Sequence, residues 1–238
     1  MMHVPHGLDT VLLLAQDASA TYLRYITGGG VVGYVILGLS VVAVALGLAQ
    51  LLHLRAAALA PSTLMEDVNS LAAQGQFGRA LERLKLADAD CFAGRVLLAG
   101  LKRASQGPLG PLEARSAMED AGGEESMQLE QRLDWLAAIA NIATLLGLLG
   151  TVQGMIGAFE TVASSTVNDS GYYQRLAENI SVALITTFQG LCVAIPCIAL
   201  HTFLRTRLTR IVALVGDECD RVVAELERHA AKGRGGRA

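Results

Sequence analysis

Three long windows of this sequence lack Asp, Glu, Lys and Arg altogether. They run from Tyr25 to Leu54, from Trp135 to Phe159 and from Asn179 to Leu204. A bilayer core is crossed by about 20 consecutive apolar residues, and each window is longer than that. A helix of this length in a soluble protein carries charged side chains on its solvent face, and these windows carry none. The sequence therefore predicts an all-α membrane protein with three transmembrane helices.

Charged residues are scarce in the chain as a whole, at 17% of its composition against 52% hydrophobic residues. Soluble globular domains carry about 25% charged residues, so this composition favours a protein embedded in the lipid bilayer. The net charge is −3, and the chain lacks a basic stripe interleaved with aromatic residues. Both observations argue against a nucleic-acid partner.

Cysteine and histidine are few and lack the spacing of a metal site. The four cysteines, Cys91, Cys192, Cys197 and Cys219, form no CxxC motif and no Cys/His cluster. They are therefore expected to be free thiols, with no metal and no cofactor in the protein. Nor do a nucleophile, a base and an orienting group occur together at catalytic spacing, so the sequence does not favour an enzyme.

A cleavable signal peptide is not expected, because the first apolar span begins only near Gly30 and runs past Leu48, and this segment is expected to stay in the mature protein. Orientation follows from the basic residues. Of 19 Lys and Arg, only Arg24 and Arg175 precede the first span or separate the second from the third. Basic residues concentrate on the cytoplasmic side of a membrane protein. The N-terminus is therefore expected outside, and the region between the first two spans in the cytoplasm.

This topology extends the long helices from the membrane into a cytoplasmic helical domain. Within that domain, helices are expected near 63–74, 77–86 and 90–105, and a GPLGP break at 107–111 precedes a helix that continues into the second span. The expected segments are a periplasmic amphipathic N-terminal segment (1–27), the first span (30–53), a cytoplasmic helical insert (55–134), the second span (135–160), a periplasmic loop (161–178), the third span (179–204), and a cytoplasmic amphipathic helix with a disordered tail (205–238).

Glycines recur along the second span at spacings of three, four and three residues. At about 100° per residue, this spacing gathers them into one narrow stripe of the helix. Small residues let helix backbones approach closely inside a membrane. The stripe therefore predicts close packing against another helix by Gly147, Gly150, Gly154 and Gly157.

Polar side chains flank this stripe on two sides. Thr144 and Thr151 are seven residues apart and share a face at the edge of the stripe, while Gln153 and Glu160 share a face roughly opposite. The second span is therefore expected to have two polar sides.

A similar stripe of small and partly polar residues follows the third span, with Thr187 near its middle. Two interpretations are open from spacing alone. The stripe lines a functional surface, or its residues simply pack well while the threonine hydroxyls bond carbonyls of their own helix. Its members are Asn179, Ala183, Thr187, Gly190, Ala194, Cys197 and His201.

Two longer sequence motifs favour a functional surface over simple packing. They read LLGLLGTVQGMIGAFETVA at 145–163 and ISVALITTFQGLCVAIP at 180–196. Both resemble, in order, the two signature helices of the ExbB/TolQ/MotA proton-channel family. The chain is most similar to the ExbB and TolQ branch, which has three spans, an outside N-terminus and a large insert after the first span. MotA-type subunits have four spans. The resemblance is strong over roughly 135–205.

The resemblance implies a homopentamer in the bacterial inner membrane around a dimer of a single-span partner like ExbD or TolR. That partner brings an aspartate into the membrane, and a protein like TonB or TolA is a further expected partner. The threonines of the GTV and TTxxGL motifs, here Thr151 and Thr187, then face the pore. Thr144 and Thr186 are placed with them on the proton pathway.

One position departs from the family pattern. Many ExbB and TolQ chains carry a glutamate five residues before the pore threonine of the third span, where this chain has Val182. An unpaired carboxylate in the membrane is costly unless hydroxyls, water or an opposite charge attend it. Because threonine does not titrate, the protonatable group is expected to belong mainly to the partner.

Several other residues have two open interpretations. Glu160 either draws cations toward the pore mouth or sits at the membrane interface. His201 either helps a proton leave or is an interfacial residue without function. Gln153 and Gln189 are expected to bond across helices or to the partner. Gly190 and Pro196 are assigned to helix packing, and Pro196 is also expected to bend the third span.

The leading functional hypothesis is a motor subunit that uses the proton motive force to energise transport or envelope processes at the outer membrane. The alternative is a nonconducting scaffold that stabilises a single-span partner by helix packing, which the missing glutamate leaves open. The system that is energised, and the choice between H⁺ and Na⁺, stay open at this level.

Overall fold

A computed structural model describes residues 28–86, 91–106, 110–164 and 171–235. The expected amphipathic segment at 1–27 and the final residues of the expected disordered tail, 236–238, lie outside this part. Within it the chain is helical and has no strand. In order, the helices are α1 (Gly30–His53), α2 (Ala56–Leu59), α3 (Ser62–Ala73), α4 (Phe77–Leu86), α5 (Phe92–Ala104), α6 (Gly110–Ser164) and α7 (Tyr172–Gly235).

Three of these helices, α1, α6 and α7, are long and apolar enough to cross a membrane. This agrees with the expected all-α architecture and its three spans. The short helices α3, α4 and α5 lie within two residues of the positions expected from the sequence. Each of α6 and α7 is far longer than a bilayer crossing requires, because apolar and amphipathic stretches follow one another without a break.

The region between α6 and α7 differs from the expectation. A loop was expected over 161–178, but α6 continues to Ser164 and α7 begins at Tyr172. Gly171 precedes α7 with a φ of +98°, a conformation that glycine adopts without steric strain. Both helices therefore extend further into this region than the charge pattern suggested.

The described chain divides into two compact units. The first, the span unit, comprises the residues up to Gly47 together with Leu136–Leu200. The second, the insert unit, comprises Leu48–Trp135 and the residues from His201 onward.

Small residues dominate the core of the span unit. Lipid tails are as apolar as leucine side chains, so helices in a membrane gain little from hydrophobic burial and associate through close van der Waals contact. Alanine permits such contact along α1, α6 and α7. The buried cluster contains Ala43, Leu136, Ile139, Ala140, Ala143, Ala194 and Cys197.

The insert unit has a core of larger side chains, as in a soluble helical domain. Within this unit, Cys91 is the N-cap of α5. Its sulfur accepts a hydrogen bond from the Gly94 amide at 3.3 Å. The core side chains that are fully buried include Val68, Leu84, Phe92, Leu97, Leu208, Val215 and Val222.

Candidate functional site

The glycine stripe of α6 lies directly against α7. A Cβ atom added at Gly154 would lie 2.7 Å from the Asn179 carbonyl oxygen, and one added at Gly150 would overlap the Thr186 hydroxyl. At Gly147 the added atom would lie 3.3 Å from the Thr186 carbonyl oxygen. No larger residue fits these positions without movement of α7, so we call this contact between α6 and α7 the glycine seam.

Gly190 completes the seam from the side of α7. A Cβ atom added there would lie 2.6 Å from the Ala143 carbonyl oxygen and 3.1 Å from the Gly147 Cα. At the other end, Gly157 lies against the Asn179 side chain. Residue numbers thus fall along α6 as they rise along α7, and the two helices are antiparallel.

Thr187 ties the two helices together. Its hydroxyl lies 3.1 Å from the Gly147 carbonyl oxygen of α6 and 3.3 Å from the Ala183 carbonyl oxygen of its own helix, and it donates to this pair of acceptors. The side chain is only half-buried, so part of Thr187 stays exposed at the edge of the seam.

Thr186, the neighbour of Thr187, has a different environment. Its side chain has no exposed surface and packs on Gly150. Its hydroxyl lies 3.0 Å from the Val182 carbonyl oxygen and 2.9 Å from that of Ala183. Thr186 therefore packs inside the seam, and its expected place on the proton pathway remains a prediction.

The two threonines of α6 bond carbonyls of their own helix. Thr151 donates to the Leu148 carbonyl oxygen at 2.6 Å, and Thr144 to that of Ala140 at 3.0 Å. Each hydroxyl proton is thus engaged, while the lone pairs of each oxygen remain available as acceptors. This is the self-bonding that the packing interpretation anticipated, and it leaves an acceptor function intact.

A cavity of about 300 Å³ lies on one flank of the seam, where α1 begins. Gly29, Gly30 and Val31 line it from the start of α1, and Gln153 and Glu160 line it from α6. Its lining also includes Asn179, Val182 and Thr186.

Thr144, Thr151 and Thr187 do not line this cavity. Because α6 and α7 are antiparallel and successive helical residues are about 100° apart, these three threonines lie on the opposite flank of the seam. We call Thr144, Thr151 and Thr187 the threonine flank. The structure thus separates two polar sides, and Glu160 lies with Val182 rather than with Thr151.

Asn179, a member of the third-span stripe, is bonded to Thr161, a residue that had no role in the sequence argument. The Asn179 amide donates to the Thr161 hydroxyl oxygen at 3.2 Å, and the Thr161 hydroxyl donates to the Gly157 carbonyl oxygen at 2.8 Å. This chain of bonds fastens the end of the seam at Gly157. In the sequence, the only indication of this contact was a pair of polar residues near the adjacent ends of α6 and α7.

Gln189 faces α1 rather than the threonine flank. It is buried, and a Cβ atom added at Gly33 would lie 2.7 Å from its Oε1 atom. Pro196 lies inside α7 with an exposed ring, and the helix continues through it. Since proline has no N–H, the Cys192 carbonyl loses its helical donor at this point. The expected bend at Pro196 remains a prediction.

His201 belongs to the insert unit. Its Nε2 atom lies 3.8 Å from Asp134 Oδ1, and its side chain is mostly buried. Within the described part of the chain, no group of three His, Cys, Asp or Glu side chains is arranged to hold a metal ion. Cys219 is buried, and burial, followed by the nearby Asp220 and Glu218 carboxylates, raises its pKa to about 12.

Comparison with known proteins connects this geometry to a family. The profile of the MotA/TolQ/ExbB proton channel family matches residues 89–216, which contain the whole glycine seam. The chain is 30% identical over 197 residues to the putative biopolymer transport protein ExbB-like 3 of Synechocystis sp., covering 82% of this chain and 90% of that protein.

Two further relatives match shorter stretches. The biopolymer transport protein exbB1 of Vibrio cholerae is 40% identical over 89 residues, covering 36% of this chain and 38% of that protein. The Tol-Pal system protein TolQ of Haemophilus influenzae is 33% identical over 114 residues, covering 48% of this chain and 49% of that protein. The resemblance seen in the two signature strings is thereby confirmed, and with its three apolar helices this chain is a multi-pass membrane protein that belongs to the MotA/TolQ/ExbB proton channel family.

Proposed function

We propose that this chain is the channel and motor subunit of a complex driven by the proton motive force, and that its threonine flank meets a proton-carrying carboxylate of a single-span partner. The observation that carries the proposal is the set of hydroxyls at Thr144, Thr151 and Thr187. All donate to carbonyl oxygens, so all present lone pairs at one edge of a rigid helix pair.

Hydroxyl oxygens suit a carboxyl group that changes protonation inside a membrane. A neutral carboxylic acid donates its proton to such an oxygen, and the ionised carboxylate accepts a bond when the hydroxyl rotates. Either state otherwise loses hydration at a cost of several kcal/mol, roughly 2–7 for a neutral polar group and more for a charge. The flank thus supports both states of a titrating group without titrating itself.

The titrating group has to come from elsewhere, because the span windows of this chain contain no acidic residue. A membrane-embedded aspartate on an ExbD- or TolR-like dimer, held inside a homopentamer of this chain in the bacterial inner membrane, supplies it in this proposal. Movement of that dimer then delivers work to the outer envelope, directly or through a TonB- or TolA-like protein. Glu160 lies on the other flank and is not part of the pathway.

The second candidate function is a nonconducting scaffold, and the close helix packing in the glycine seam supports it. The contacts of Gly147, Gly150 and Gly190 make α6 and α7 a rigid pair that could hold a partner helix without any ion transfer. Val182 supports the same view, since an aliphatic residue occupies the position where many relatives carry a glutamate.

Substitution of Thr187 separates these functions. The complex of this chain with its ExbD- or TolR-like partner is purified, reconstituted in liposomes, and assayed for proton uptake under an imposed membrane potential. We expect Thr187→Val to assemble and to lose most of the flux, and Thr187→Ser, which keeps the hydroxyl, to retain it. Thr209→Val is the matched control, because Thr209 is exposed on the same helix and bonds its own Arg205 carbonyl. A Thr187→Val complex that conducts like wild type would establish the scaffold instead.

A further inference from the structure

His201 and Asp134 form a pair in which the histidine side chain is mostly buried and the aspartate side chain is exposed. The His201 side chain is 14% exposed and that of Asp134 is 69% exposed. The His201 Nε2 atom is enclosed and makes no hydrogen bond, although it lies 3.8 Å from Asp134 Oδ1. An enclosed ring nitrogen beside a solvated carboxylate is a polar arrangement that packing alone does not require.

The separation of 3.8 Å exceeds a hydrogen bond but lies within ion-pair range. A neutral imidazole has one ring nitrogen without a proton, and this nitrogen can accept one. When Nε2 gains a proton, the imidazolium faces an opposite charge, and a small side-chain movement closes the bond. The pair therefore has one state ready to accept a proton and one state stabilised after acceptance.

The pair also marks the ends of two spans. Asp134 is the residue immediately before the uncharged window that begins at Trp135, and His201 lies three residues before the window ends at Leu204. In the topology proposed above, both face the cytoplasm. Among the described residues, Asp134 is the charged group placed against the imidazole. Arg205, one turn further along α7, is exposed, and the nearby α1 presents the neutral Gln50, whose amide donates to the Arg132 carbonyl oxygen.

We propose that His201 and Asp134 form the release site for protons on the cytoplasmic side, an inference that rests on the proposed channel function. A proton adds to the neutral imidazole of His201 and forms an imidazolium beside the Asp134 carboxylate. The N–H bond then breaks as an O–H bond forms on Asp134. The Asp134 carboxyl group finally transfers the proton to bulk water and returns to its ionised form.

The test uses the reconstituted complex with its partner and compares wild type with His201→Gln and Asp134→Asn. Flux is measured at constant total driving force while the internal pH is lowered from about 8 to about 5.5. Wild-type flux should fall as the internal pH is lowered, because a protonated His201 cannot accept another proton. His201→Gln should conduct about tenfold more slowly, with no inflection in this range. Asp134→Asn should slow release and alter the profile, and Asp134→Glu should restore it.

Asp120→Asn is the matched control, since Asp120 is an exposed acid on the same helix and its replacement removes the same charge. A purely structural role for His201 would lower the flux without changing the shape of the profile. A wild-type profile in both His201→Gln and Asp134→Asn would overturn the release site while leaving the channel intact. Absence of flux from the wild-type complex, or flux insensitive to Thr187→Val, would instead remove the channel function and the release site with it.

Discussion

The hydroxyl of Thr187 makes two contacts with different consequences. Its bond to the Gly147 carbonyl fixes α7 against α6, and its lone pairs remain at the edge of the seam. Thr151 and Thr144 contribute nothing across the seam, since their hydroxyls bond their own helix. A substitution at Thr187 therefore acts on helix packing and on any passing proton, which is why the serine variant is needed beside valine.

Cys219 gives a second prediction at the level of one residue. Burial and two nearby carboxylates raise its pKa to about 12, so the fold favours the neutral thiol. This contribution to stability is complete below the pKa of the unfolded chain, near 9, and is lost as the pH rises from there toward 12. We expect the melting temperature of the wild-type protein to fall more between pH 8 and pH 10.5 than that of Cys219→Ala.

The comparison with Cys219→Ala isolates the thiol, because the two proteins differ only at this side chain. Alkylation provides an independent measurement. Iodoacetamide should modify Cys219 slowly in the folded protein at pH 8 and rapidly in denaturant, since the thiolate is the reactive form. Equal melting profiles, with rapid alkylation in the folded state, would show that Cys219 is solvated.

The glycine seam is the feature that matters at the level of helices. We expect Gly150→Ala to destabilise the protein by about 1–3 kcal/mol, because its Cβ would overlap the Thr186 hydroxyl in a contact without free space. Gly38→Ala on α1 is the matched control, since a Cβ there meets nothing within 4 Å. That substitution should be neutral or slightly stabilising, by up to about 1 kcal/mol.

The cause of the Gly150→Ala effect can be tested by a second substitution. Thr186→Ala removes Oγ1 and Cγ2, two of the three Thr186 atoms that an alanine at position 150 would meet, and leaves Cβ in place, so the double variant should recover part of the lost stability. Thermal unfolding in detergent, followed by circular dichroism, measures all four proteins. Additive losses in the double variant would mean that Gly150 acts through some contact other than Thr186.

The sequence predicts the features that depend on a single helix, but it does not predict those that depend on how separate helices pack together. The stripe of Gly147, Gly150, Gly154 and Gly157 follows from the period of one helix, and so does the separation of Thr151 from Glu160. The position of α1 does not follow, because its apolar face has no distinguishing pattern. The cavity that joins Gly30 to Glu160 and Val182 was therefore beyond prediction.

Thr186 and Thr187 illustrate the same limit. Adjacent threonines in a TTxxGL string have the same composition and differ by about 100° around the helix. Only the location of α6 decides that Thr186 is fully buried on Gly150 while Thr187 stays at the edge. Asp134 went unnoticed for a related reason, since its pairing with His201 joins residues distant in sequence and unrelated by any motif.

The chain as a whole has a topology that the proposed mechanism requires and that can be measured directly. Of its 19 Lys and Arg, only Arg24 and Arg175 fall in segments assigned to the outside, and release at His201 must face the cytoplasm. In a variant whose four cysteines are replaced by alanine, single cysteines are introduced at Gln174 and Thr209, which are both exposed. A membrane-impermeant maleimide added to spheroplasts should label Gln174→Cys at once.

The same reagent should label Thr209→Cys only after the inner membrane is permeabilised, because the positive-inside rule places that end of α7 in the cytoplasm. Detergent-solubilised protein controls for intrinsic reactivity, since both sites should then react. The reverse pattern of labelling would place the His201–Asp134 pair on the outer side of the membrane. Protons driven inward by the proton motive force would then enter at His201, and the direction of every step proposed here would be inverted.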